Sequence, residues 1–146
     1  DRWLRSERHR DNGIKGRHEV EALTAFAKSV SSNNRSFSIA LPGYKKIARE
    51  QVHDVEFLHV NGGDIIILEG VVALALATSI PSAMRVYVDS DEVDRRLRVI
   101  REYTLRGLDE RAATEIYEQR LADEFDVVEE WKKFATLVYT KNGFII

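Results

Sequence analysis

The run Asp64-Ile65-Ile66-Ile67-Leu68 constrains this chain more than any other segment. Three consecutive β-branched residues favour extended backbone, and with no polar residue alternating among them both faces of the strand need cover. Asn61-Gly62-Gly63 precedes the run and Glu69-Gly70 follows it, so turn formers bound it on both sides. The segment predicts a parallel strand buried on both faces, and therefore a layered α/β fold with helices on each side of a mainly parallel sheet.

The remaining elements alternate as that fold requires. Residues 1–17 carry Arg, Asp and Gly without an apolar period and read as a loop or short irregular helix. Val20, Leu23, Ala27 and Val30 share one face of a helix expected over His18–Val30, which Ser31-Ser32-Asn33-Asn34 ends. Ser36–Leu41 alternates Phe37, Ile39 and Leu41 as a half-buried strand that Pro42-Gly43 stops. Met84–Val88 is a further strand. Ser90 or Asp91 can cap a helix reaching Leu105, with Gly107 as its stop. Helices over Asp109–Phe125 and Val127–Phe134 and a strand over Thr136–Thr140 complete the pattern.

A length of 146 residues suits one domain. Lys plus Arg number 22 against 24 Asp plus Glu, a net charge of −2 that argues against a globally basic nucleic-acid binder. The absence of Cys excludes a disulfide framework, a thiolate nucleophile and Cys-ligated zinc, and is compatible with a reducing cytoplasm. No apolar stretch is long enough to cross a bilayer, so no membrane partner is expected. The sequence leaves self-association into a homo-oligomer open.

Three clusters carry candidate chemistry. Glu69, at the carboxyl end of the expected buried strand, stands where open α/β sheets place ligands, and a carboxylate there suits Mg²⁺ held directly or through water. Arg95, Arg96, Arg98, Arg101 and Arg106 follow Val88-Asp89-Ser90-Asp91, and guanidinium forks match phosphate oxygens. Leu41-Pro42-Gly43-Tyr44-Lys45 presents an aromatic and a base just past a strand. Each has a plainer reading, as a capping acid, a solvated charged helix and a sheet-edge cover. The histidines show no zinc spacing, and Trp131, Phe125 and Phe134 read as core.

Taken in order, these pieces resemble the uridine kinase and phosphoribulokinase group of P-loop kinases, over nearly all of the chain. Asp1-Arg2-Trp3 matches a D-x-[FYW] motif, and Pro42-Gly43-Tyr44-Lys45 a Pro-x-Tyr-Asp turn in which Lys45 replaces Asp. The strand ending in Glu69-Gly70 follows, then Val88-Asp89-Ser90-Asp91. Arg98, Arg101, Arg106 and Gly107 fit an R-x-x-R-x-x-x-x-R-G lid over about residues 91–109, and Tyr117, Phe125 and Lys132-Lys133-Phe134-Ala135-Thr136 complete the series.

The resemblance implies phosphoryl transfer from ATP, with Mg²⁺, to a hydroxyl of a nucleoside-like or sugar-like acceptor. It assigns Asp1 to orient and deprotonate that hydroxyl, Glu69 to place Mg²⁺, Trp3 and Tyr44 to line the acceptor pocket, and Arg98, Arg101 and Arg106 to bind ATP phosphates. The family's GxxxxGK[ST] loop, with its strand and helix, is not among these residues. The expectation is therefore a single kinase-like domain over residues 1–146, representing the C-terminal part of an enzyme whose phosphate loop precedes Asp1. Residues 1–146 alone are expected to be inactive. The alternative is a non-catalytic, kinase-derived ligand-binding or interaction domain.

Overall fold

The computed structural model describes residues 13–32, 35–45 and 50–145. The chain divides into two compact units, Asp1–Ala83 and Met84–Ile146.

In the first unit a short helix α1 (Gly13–Arg17) precedes α2 (Val20–Ser32). Leu23 and Ala27, four residues apart, form the buried stripe of α2, as the apolar period predicts. Thr24 and Ser32 hydroxyls donate to the Val20 and Lys28 carbonyls, so side chains compatible with helix ends are satisfied within it. A long antiparallel hairpin follows, β1 (Phe37–Lys45) and β2 (Glu50–Val60), with Phe37 opposite Val60. The expected stop at Pro42-Gly43 is instead a register shift, and β1 continues through Tyr44 to Lys45. Gly43 makes this possible. A Cβ there would lie 2.5 Å from the Asp54 carbonyl oxygen and 2.7 Å from Val52 Cγ2.

Asp64–Leu68 is not a strand. It is irregular and pairs with no strand among the described residues. Ile65 and Ile67 are 89% and 84% exposed. The correction has a physical cause: a continuous apolar strand is stable only with partners at its edges and cover on its faces, and the described residues provide neither. Asn61 and Asp64 close a tight turn before it, with the Asn61 N–H donating to Asp64 Oδ2 at 2.8 Å and Gly63 at φ 96°. Beyond Gly70, α3 (Ala73–Ala77) buries Leu76 beside Val72.

In the second unit, β3 (Val86–Val88) pairs in parallel with β4 (Leu137–Thr140), and β4 pairs antiparallel with β5 (Gly143–Ile145). The expected three-layer, mainly parallel sheet is thus not assembled among the described residues, whose sheets are an antiparallel hairpin and this mixed trio. Helix α4 (Glu92–Leu105) has the expected ends: Asp91 accepts the Asp94 N–H at 2.8 Å, and Gly107 turns the chain at φ 95°. Helix α5 (Glu110–Trp131) is one continuous element where two were expected. No Gly or Pro stands near Asp126 to interrupt its hydrogen bonds, so the helix runs on and closes in a 3-10 turn, Lys132–Phe134. Tyr103, Ala113 and Tyr117 are buried in the α4–α5 hairpin, Ala113 completely.

Candidate functional site

The candidate site residues divide between the two units. Asp1 and Trp3 lie outside the described residues. In the first unit, Tyr44 sits in β1 rather than in a turn, and its buried hydroxyl finds no hydrogen-bond partner among the described residues. Glu69 is exposed at the end of the irregular Asp64–Leu68 segment, where Gly70 turns the backbone at φ 140°. One carboxylate is enough to help hold Mg²⁺ when nucleotide phosphates and waters complete its shell. Among the described residues no group of three or more His, Cys, Asp or Glu could hold a metal by itself.

The arginines of the second unit are not equivalent. Arg95 lies over the Phe125 ring at 4.4 Å, and its Nε donates to the Tyr117 hydroxyl at 3.4 Å. Its cation is engaged in holding α4 against α5. Arg106, at the C-terminus of α4, forms an ion pair with Glu102 one turn earlier and stands over Tyr103 at 5.8 Å. Arg98 and Arg101 differ from both. They are exposed, stand one turn apart on α4, and enter no ion pair or ring contact among the described residues. Two unpaired guanidiniums at that spacing form a surface able to grip neighbouring phosphate oxygens.

At the root of α4 a polar ring joins strand to helix. Tyr87 and Asp89 are two residues apart along β3 and its extension, so they project to one side. Glu129 and Lys132, three apart at the end of α5, meet them. The Tyr87 hydroxyl donates to Glu129 Oε2 at 2.7 Å, and Lys132 Nζ donates to Asp89 Oδ2 at 2.8 Å and Glu129 Oε1 at 3.3 Å. Burial, followed by the bond to Glu129, pushes the Tyr87 hydroxyl well above its usual range. The Asp89 carboxylate raises the Lys132 ammonium. Beside this ring opens a cleft of about 570 Å³ at the carboxyl end of the parallel pair β3–β4, where its carboxylates outnumber its two cations, Arg95 and Lys132. An acid-rich cleft repels phosphate, which leaves the outer face of α4 as the better anion surface.

The sequence points to Arg98 and Arg101 by their spacing. The roles of Arg95 and Lys132 are not visible in it except through two weak signals, a Tyr-x-Asp strand end and a Glu-x-x-Lys helix end. No helix among the described residues is long and apolar enough to cross a membrane. No family model matches the chain, and no curated protein matches it.

Proposed function

We propose that this chain is the acceptor and lid portion of an ATP-dependent small-molecule kinase, resembling uridine kinase and transferring a phosphoryl group to a hydroxyl of a nucleoside-like or sugar-like acceptor. The observation that carries the reading is the pair Arg98 and Arg101, exposed and unpaired among the described residues, on a helix whose Arg95 and Arg106 are already engaged. Holding a charged side chain free of partners leaves it available to an anionic ligand, and phosphoryl transfer relies on positioning and charge stabilisation of this kind.

In this reading Arg98 and Arg101 meet ATP phosphates, while Arg106 stays paired with Glu102. Glu69 helps place Mg²⁺, Tyr44 and Trp3 line the acceptor pocket, and Asp1 takes the acceptor proton. The reading calls for a GxxxxGK[ST] phosphate cradle, which residues 1–146 do not contain. Calorimetric titration of the full-length protein with ATP and Mg²⁺ tests the proposal. Binding that weakens in Arg98→Ala and Arg101→Ala is expected, together with a strongly reduced kcat and retained ATP affinity in Asp1→Asn. A full-length protein that binds no ATP overturns the kinase reading in favour of a non-catalytic domain.

A further inference from the structure

The polar ring at the root of α4 does more than fasten two elements. The backbone N–H of Asp89 donates to the Tyr139 carbonyl at 2.8 Å, which fixes Asp89 as the last residue held by the sheet before the chain leaves for α4. Two residues later Asp91 caps the helix through Oδ1, while its Oδ2 accepts Lys141 Nζ at 3.0 Å. Both carboxylates of Val88-Asp89-Ser90-Asp91 are therefore gripped by lysines from the C-terminal part of the unit. The Asp89 grip is the more enclosed. The Lys132 and Asp89 side chains are 33% and 37% exposed, against 72% and 45% for Lys141 and Asp91. Lys132 also bonds Glu129, which in turn takes the Tyr87 hydroxyl, and its ammonium stands 5.2 Å from the Tyr87 ring centre. Tyr87, Glu129 and Lys132 thus close a loop of contacts, and Lys132 ties it to Asp89 just before α4 begins.

From this geometry we infer that Lys132 is a positioning residue: by bridging Asp89 and Glu129 it sets the direction in which α4 leaves the sheet, and hence where Arg98 and Arg101 present their guanidiniums. The inference rests on the kinase reading for its consequence, though not for its mechanics. A rotation of a few degrees at Asp89 is magnified along the helix. Arg98 and Arg101 lie about 10 and 15 Å beyond the cap Asp91 by helical rise, so a 10° swing displaces them by about 2–3 Å. Displacements near 1 Å are already enough to spoil a charge-assisted contact. Lys132 touches no candidate ligand position itself. Its influence on anion binding passes through α4.

The test uses Lys132→Met and Lys132→Arg in the full-length protein, with two separate readouts. Amide exchange reports the mechanics. In Lys132→Met the protection of the first turn of α4, around the Arg95 N–H that donates to Asp91, should fall about tenfold, while amides at the centre of α5 are unchanged. Lys132→Arg should restore most of it. ATP affinity reports the consequence. Lys132→Met should weaken binding about three- to tenfold, and this loss should vanish when Arg98 and Arg101 are already alanine, because Lys132 acts only through them. Uniform loss of protection across the unit, or a loss of affinity that simply adds to that of the arginine variants, overturns the inference. If the wild-type protein binds ATP and Lys132→Met binds it equally well, the inference fails while the kinase reading stands. If the wild-type protein binds no ATP, the kinase reading fails. The assignment of Lys132 to an anion site falls with it, and the exchange readout still decides the mechanical part.

Discussion

Replacing Tyr87 with Phe isolates one bond of the ring at the root of α4. Phe keeps the aromatic body, which is 8% exposed, and keeps the ring face beside Lys132, but removes the hydroxyl that donates to Glu129 at 2.7 Å. A neutral donor on a carboxylate contributes roughly 1.5–3 kcal/mol when well shielded. Glu129 is 42% exposed at its side chain and retains Lys132, so about 1 kcal/mol is the better expectation. In a unit of this size that corresponds to a fall in Tm of about 4–8 °C. Its pH dependence is more diagnostic. The hydroxyl's pKa is raised in the folded protein from an ordinary 10.0. Its contribution is therefore fully present below pH 10 and fades above it, because the unfolded chain releases the proton first. One pH unit beyond that point costs up to about 1.4 kcal/mol, more than the bond contributes, so the gap between wild type and Tyr87→Phe should close by pH 11. Lys132 titrates in both proteins and largely cancels in the difference. Thermal unfolding followed by near-ultraviolet circular dichroism from pH 7 to 11 makes the measurement. Equal stability at pH 7, or a gap that persists unchanged at pH 11, refutes the reasoning.

Four further substitutions probe other parts of the molecule. Gly43→Ala should destabilise the β1–β2 hairpin by about 1–3 kcal/mol, since its Cβ meets the Asp54 carbonyl oxygen at 2.5 Å, and urea unfolding should show a lower midpoint. Ala113→Leu places three extra carbons at a position with no exposure between α4 and α5, and a similar loss of about 1–3 kcal/mol is expected in the same assay. Arg98→Ala and Arg101→Ala should leave stability within about 0.5 kcal/mol of wild type, because neither side chain has a partner to lose among the described residues. A larger loss of stability would show that these arginines have structural work that the described contacts do not reveal.

The parts of the fold legible in the sequence are those whose causes are local. Asp91 and Gly107 delimit α4 because a cap and a left-handed stop act within one turn, and the Leu23 and Ala27 stripe identifies α2 for the same reason. Strand β2 is not legible. Val52 and Val55 fall out of step across the register shift at Pro42/Gly43, and beyond it Val55 and Phe57 share one face while Leu58 and Val60 share the other. The Asp64–Leu68 run errs in the opposite direction. Its composition asks for a strand, but strand formation is decided by partners far away in sequence, and composition cannot supply them. Asn142-Gly143, by contrast, is a local hairpin signal that the expected elements leave out, and it opens β5 with Gly143 at φ 110°.

The arginine series of α4 shows how one helix separates structural cations from candidate binding cations. Successive residues advance about 100° around the axis, so Arg95, Val99 and Tyr103 fall within about 80° of one another. That arc faces α5: Tyr103 is buried, and Arg95 reaches Phe125 and Tyr117. Measured from its middle, Arg98 lies about 100° away and Arg101 about 160° away, beyond the reach of α5. Arg106 falls past the last turn and bends back to Glu102. A charge run read as composition treats these residues as a single basic patch. The structure instead assigns Arg95 and Arg106 to the fold and leaves Arg96, Arg98 and Arg101 without a structural use among the described contacts. That division lets a chain with a net charge of −2 still carry adjacent exposed guanidiniums, the surface that the kinase proposal assigns to phosphates. Its strength depends less on how many arginines α4 carries than on how firmly Asp89 and Lys132 hold the helix that displays Arg98 and Arg101.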